Sequence, residues 1–159
     1  MQVTSRHHLR SDEIRSITDH IASATGVDLE GEQFERVEFE ESIPAVILVD
    51  GAPHLAEFSP SIFLTVRGAN AYEPTRRLVT VDAGAVSFVS DGADIMRPGI
   101  VEADPGIDPG DLVIIVEETH GKALAIGESK VSGDDLTGDQ GKVIASIHHV
   151  GDELFEFVP

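Results

Sequence analysis

The sequence predicts an α+β N-terminal half followed by a mostly-β C-terminal half that curls into a small barrel or sandwich. Three observations lead there. Ile14, Ile17, Ile21 and Ala24 recur at helical spacing on one face. After residue 75, short apolar segments alternate with Gly and Pro turns, the punctuation of an all-β unit. Between them, residues 68–75 form a connecting stretch that ends in Glu73-Pro74. The boundary near residue 75 divides the chain into 1–75 and 76–159.

In the first half, Ser11 is the expected helix cap, with Asp12 and Glu13 suited to the positive helix end. Gly26 ends that helix. Residues 34–41 alternate, with Val37 and Phe39 on one side and Glu38 and Glu40 on the other, a half-buried strand. Residues 45–49 are a buried-type strand and Asp50-Gly51 a turn. Residues 54–58 and 62–66 are further strands around a Ser59-Pro60 turn. In the second half, strands are expected near 78–82, 93–95, 100–103, 111–117, 122–128, 141–149 and 154–157. Turns fall at Pro105-Gly106, Pro109-Gly110, His120-Gly121 and Gly138, and residues 132–139 read as a polar loop with a short helical turn.

The densest segment is 81–99, VDAGAVSFVSDGADIMRPG. Val79 and Val81 alternate with Thr80 and Asp82 as a strand end. Asp82 can cap a following helix. Gly84 permits close approach at its first turn. Ala85, Phe88 and Val89 share its apolar face, which makes Phe88 a core residue by spacing. Asp91-Gly92 is a stop signal and Arg97-Pro98-Gly99 a rigid corner.

Composition bounds the chemistry. The 159 residues carry 41% hydrophobic side chains, enough for a core, but only 5% aromatics and no Trp. No apolar run approaches the roughly 20 residues that span a bilayer, and MQVTSRHHLR has no apolar signal core, so a cytoplasmic location and no membrane partner are expected. With no Cys, disulfides and thiolate metal sites are excluded. The His7-His8 and His148-His149 pairs would point to opposite sides of a strand, so no metal site is expected. GxxxxGKS/T, GxGxxG and HExxH are absent, no serine sits in a nucleophile elbow, and no carboxylate pair stands out from solvated acids. The expectation is a protein that is not an enzyme and needs no cofactor.

The formal charge is −18, from 29 acids against 11 cations, eight of them arginine. Acids are spread through both halves, and neither half is a basic arm. Beside the reading of a merely acidic protein stands adaptation to a salt-rich cytoplasm, where a carboxylate surface keeps the chain solvated.

Several quoted segments together resemble a PUA domain. These are 81–99, Gly110-Asp111 before the strand 112–116, ALAIG at 123–127, and IHHVGD at 147–152 followed by Leu154 and Phe155. The order is similar to the archaeal and eukaryotic translation-associated family of the malignant-T-cell-amplified type, strongly over 78–158. Residues 1–75 resemble its pre-PUA domain more weakly, and Phe155 stands where the family commonly has Trp. The resemblance implies an α+β pre-PUA domain (1–75) followed by a PUA pseudo-barrel (76–159). It implies non-catalytic RNA binding in translation, to tRNA or to rRNA of the small ribosomal subunit, in initiation or recycling. A second translation factor would dock on the pre-PUA domain. Alternatives are a targeting module for an RNA-modifying enzyme and a protein-interaction scaffold.

PUA domains hold RNA with their first helix, the adjoining turn and nearby strands. By that resemblance the RNA-binding candidates are Arg76, Arg77, Gly84, Ala85, Phe88, Arg97, Pro98, Gly99 and His148. Gly84 and Ala85 would offer N–H groups to a phosphate. The arginines would otherwise pair with acids such as Glu73 and Asp94, and His148 would otherwise be a satisfied structural histidine. In molar salt, bidentate arginines, shape and stacking should replace a basic patch.

Overall fold

The computed structural model describes residues 1–40, 42–59 and 61–159. Glu41, at the end of an expected strand, and Pro60, of the expected Ser59-Pro60 turn, lie outside the described residues. The first half is an antiparallel meander of β1 (Val3–His8), β2 (Phe34–Phe39), β3 (Val46–Val49), β4 (Ala52–Glu57) and β5 (Ile62–Leu64), in that spatial order. Helix α1 (Ser11–Thr25) crosses from β1 to β2 and buries Ile17, Ile21 and Ala24. Its N-cap is Arg10 rather than Ser11: the Glu13 carboxylate accepts the Arg10 N–H at 3.1 Å, closing the first turn from within. Gly26 ends it in the left-handed conformation, as its sequence position predicts.

Two elements of the first half differ from expectation. β1 pairs with β2 although its side chains are largely exposed, so no apolar pattern marks it in the sequence. Residues 62–66 do not run on as one strand. After Leu64 the chain turns into α2 (Val66–Tyr72), where a connecting stretch is expected. Thr65 is the cause, since its hydroxyl accepts the Gly68 N–H at 3.1 Å and donates to the Pro53 carbonyl at 2.8 Å. Gly68 lets α2 lie directly on the His54 backbone, where a Cβ would collide with the carbonyl.

The second half is one curled sheet in the order β7-β11-β10-β9-β6-β8. Its strands are β6 (Leu78–Val81), β7 (Ile95–Met96), β8 (Ile100–Ala103), β9 (Leu112–Glu117), β10 (Ala123–Ser129) and β11 (Lys142–His149). All pairings are antiparallel except β6 with β9. A helical turn at Ala83–Ala85 leads into α3 (Val86–Ser90), and α4 (Glu153–Glu156) occupies the place of the strand expected at 154–157. Asp152 explains α4, because its carboxylate accepts the Phe155 N–H at 2.8 Å as an N-cap. Among the described residues no helix is long and apolar enough to cross a membrane.

β9 explains how the halves join. Val113 and Ile115 point into the curled sheet, while Ile114 and Val116 belong to the core under the N-terminal sheet. A strand covered on both faces reads as an unbroken apolar run, and LVIIV is one. Ala123, Ile126 and Leu154 join the same N-terminal core. One hydrophobic cluster thus crosses from the first sheet to the second.

Candidate nucleic-acid interface

The surface built by 81–99 is an open groove of about 550 Å³. Asp82 caps its entrance, its Oδ1 accepting the Ala85 N–H at 3.0 Å. Val89, 2% exposed, anchors α3 on the curled sheet. Phe88 is 67% exposed, which overturns the expectation of a core residue. Neighbouring residues lie about 100° apart around a helix, so a five-residue helix resting on Val89 leaves Phe88 outside the contact. Gly92, at φ 91°, ends the helix against the His149 ring, and the chain returns through Met96 and the helical corner Arg97–Gly99.

Five of the nine candidate residues line this groove: Gly84, Ala85, Phe88, Pro98 and Gly99. The Ala85 N–H, expected to face a phosphate, is occupied by Asp82. Asp82, Asp94, Met96 and Lys142 line the groove as well, and sequence reasoning did not name them as site residues. Asp94 and Met96 lie inside the recognised segment, but Lys142 comes from β11 and reaches the groove only through the β11–β7 ladder. Lys142 is the one cation on the lining and sits 3.4 Å from Asp94, whose other oxygen accepts the Ser146 N–H at 2.8 Å.

The structure places the other four candidates elsewhere. Arg76 donates to the Ala22 carbonyl at 2.8 Å. Arg77, at φ 66°, donates its N–H to Asp104 at 2.8 Å and its guanidinium to the Leu112 carbonyl at 3.0 Å, with Asp111 at 3.5 Å. Arg97 binds the Asp135 and Gln140 carbonyls at 2.8 and 3.0 Å. These arginines hold loops and the junction mainly by backbone carbonyls, and the acid paired with one of them is Asp111, with Arg77, rather than Glu73 or Asp94. Their guanidinium groups do not line the groove.

His148 is 1% exposed and fully engaged. Its Nδ1–H donates to Asp152 at 2.9 Å, its Nε2 accepts the Val66 N–H at 3.1 Å, and its ring stacks on Phe58 at 5.8 Å. A ring so enclosed has no face for RNA. Burial works to raise the Asp152 pKa, but the bonds from His148 and from the His149 and Phe155 N–H groups outweigh it and hold the carboxyl below its ordinary value. His149 points the other way, donating from Nδ1 to the Ser90 and Val150 carbonyls at 3.0 and 2.9 Å. Among the described residues no group of three His, Asp or Glu side chains could hold a metal ion.

The comparisons agree with this fold. Residues 77–151 match the PUA domain model. The chain is 37% identical over 113 residues to an uncharacterized protein of Methanocaldococcus jannaschii, covering 70% of each. It is 37% identical over 136 residues to translation machinery-associated protein 20 of Saccharomyces cerevisiae, covering 79% of this chain and 72% of that one. The crystal structure of a hypothetical protein from Pyrococcus horikoshii superposes with a TM-score of 0.87 at 31% identity, over 98% of this chain and 100% of that one. An N-terminal α+β sheet joined to a curled PUA sheet, with this extent of identity to its members, makes the chain a member of the PUA-domain family of translation machinery-associated protein 20 and the malignant T-cell-amplified proteins.

Proposed function

We propose that this protein binds RNA without catalysing a reaction and acts in translation in the cytoplasm. Its target is tRNA or the rRNA of the small ribosomal subunit, during initiation or recycling. The observation that carries this reading is the groove at 82–99: an aromatic side chain held out to solvent on a helix that is itself anchored. An exposed ring on a fixed scaffold is what a base stacks on. Similarity to a relative named for the translation machinery supports this reading. Gly84, Ala85, Pro98 and Gly99 shape the contact, and residues 1–75 form a pre-PUA domain on which a second translation factor docks.

Crosslinking in molar salt, with gradient sedimentation of the extract, tests this. The expected result is RNA crosslinked at the groove and protein co-sedimenting with small ribosomal subunits. Recovery with an RNA-modifying enzyme instead would make the chain a targeting module. Recovery of no RNA would make it a scaffold.

A further inference from the structure

We infer that His148 and His149 form a coupling device that closes or releases the end of α3 and the start of α2 together. Adjacent residues of a strand point to opposite faces, and each face here serves a different half of the molecule. On one face, His149 donates from Nδ1 to the carbonyl of Ser90, the last residue of α3, and its ring lies against Gly92. The carbonyls of Ser87, Phe88 and Val89 are met by the N–H groups of Asp91, Gly92 and Ala93, while that of Ser90 is met by the histidine. On the other face, Nε2 of His148 accepts the N–H of Val66, the first residue of α2, at 3.1 Å.

Two features keep the rings from moving independently. Oδ2 of Asp152 accepts both the Nδ1–H of His148 and the backbone N–H of His149, each at 2.9 Å. β11 also carries a bulge at Ile147, because its pairing with β10 passes from Ser146 opposite Gly127 to His148 opposite Ile126. Gly127 keeps that bulge tight, since a Cβ there would meet the Ile144 side chain and the Ala145 carbonyl. A ring displaced on one face therefore shifts the strand and the carboxylate that hold the other. α2 is seven residues long, so its first turn belongs to the less stable part of the fold. Opening that turn frees His148, loosens Asp152 and takes the support from His149 beside the helix that carries Phe88. By linkage, a ligand that rigidifies α3 from the groove makes the opening of α2 costlier.

The test is amide hydrogen exchange of the full chain in molar potassium chloride, read by NMR at Val66 and at Asp91, Gly92 and Ala93, with the β9 amides as reference. Thr65 caps α2 and makes no hydrogen bond to His148, His149 or α3. Thr65→Ala is expected to lower protection about tenfold at Val66 and about fivefold at Asp91, Gly92 and Ala93. In His149→Phe, which keeps a ring but lacks the donor, the α3 amides start less protected and Thr65→Ala lowers them no further. In the reverse direction, Gly92→Ala presses on the His149 ring and is expected to lower protection at Val66. A mixed-sequence six-nucleotide single-stranded RNA is expected to slow exchange at Val66, an arm that rests on the RNA-binding reading. Unchanged α3 amides in Thr65→Ala, an equal fall in the His149→Phe background, an unchanged Val66 in Gly92→Ala, or RNA that binds without slowing Val66 would overturn the inference. If the RNA fails to bind, the RNA-binding reading falls, and exchange in the variants decides the coupling by itself.

Discussion

His148 joins three segments with one ring: β11 that carries it, Asp152 before α4, and the first N–H of α2. His148→Ala leaves the Val66 N–H buried without an acceptor and opens space beside Phe58. The expected loss is about 2–4 kcal/mol, read as a lower urea midpoint. Its partner Asp152 gives a pH signature. The folded carboxyl titrates below its ordinary value, so its stabilisation is fully present above the unfolded pKa and drains as pH falls through the folded one. Asp152→Asn should therefore flatten the acid limb of a stability–pH curve taken from pH about 6 to 2. An acid limb unchanged by the substitution would show that the His148 clasp is not what the carboxylate stabilises. Gly92→Ala meets both a left-handed backbone and the His149 ring. It should cost at least about 1 kcal/mol, a melting point lower by roughly 2–4 °C or more.

Among the elements, α2 is the most informative about how far sequence reads structure. IFLTV is apolar and β-branched, so it reads as one strand through Val66. The break is made by the Thr65 hydroxyl, a single side chain whose donor, Gly68, and acceptor, Pro53, are fixed only by the fold. Thr65→Ala should destabilise by about 1–2 kcal/mol in chemical denaturation, while Thr65→Ser retains most of the stability. α4 is not legible for a similar reason, since Asp152 serves two structures at once. Long periodic elements such as α1 and β9 are legible because many residues repeat the same signal. At the groove, 82–99 is legible as a unit because its strand, cap, glycine stop and corner are consecutive. Lys142 is not, because strand pairing brings it from a distant stretch. The spacing that assigns Phe88 to the core does not hold, because five residues of helix have room for only one buried row.

At the scale of the whole molecule the dominant fact is the −18 charge spread over a small surface. Self-repulsion opposes the compact state and weakens as ions screen it. Unfolding midpoints measured by heat should rise from low to molar potassium chloride, and the protein should lose structure on desalting. A midpoint independent of salt would mean the carboxylates are too well hydrated and separated to repel one another.

The shared core has a bearing on synthesis. The five strands of the first sheet are consecutive in sequence and can pair as they leave the ribosome. The cluster beneath them still needs Ile114, Val116, Ala123, Ile126 and finally Leu154. A nascent chain holding only the first sheet therefore shows water an apolar underside until Leu154 is made, and it stays open to chaperones and proteases meanwhile. Arrival of Leu154, rather than pairing of the first sheet, is the event that closes this core.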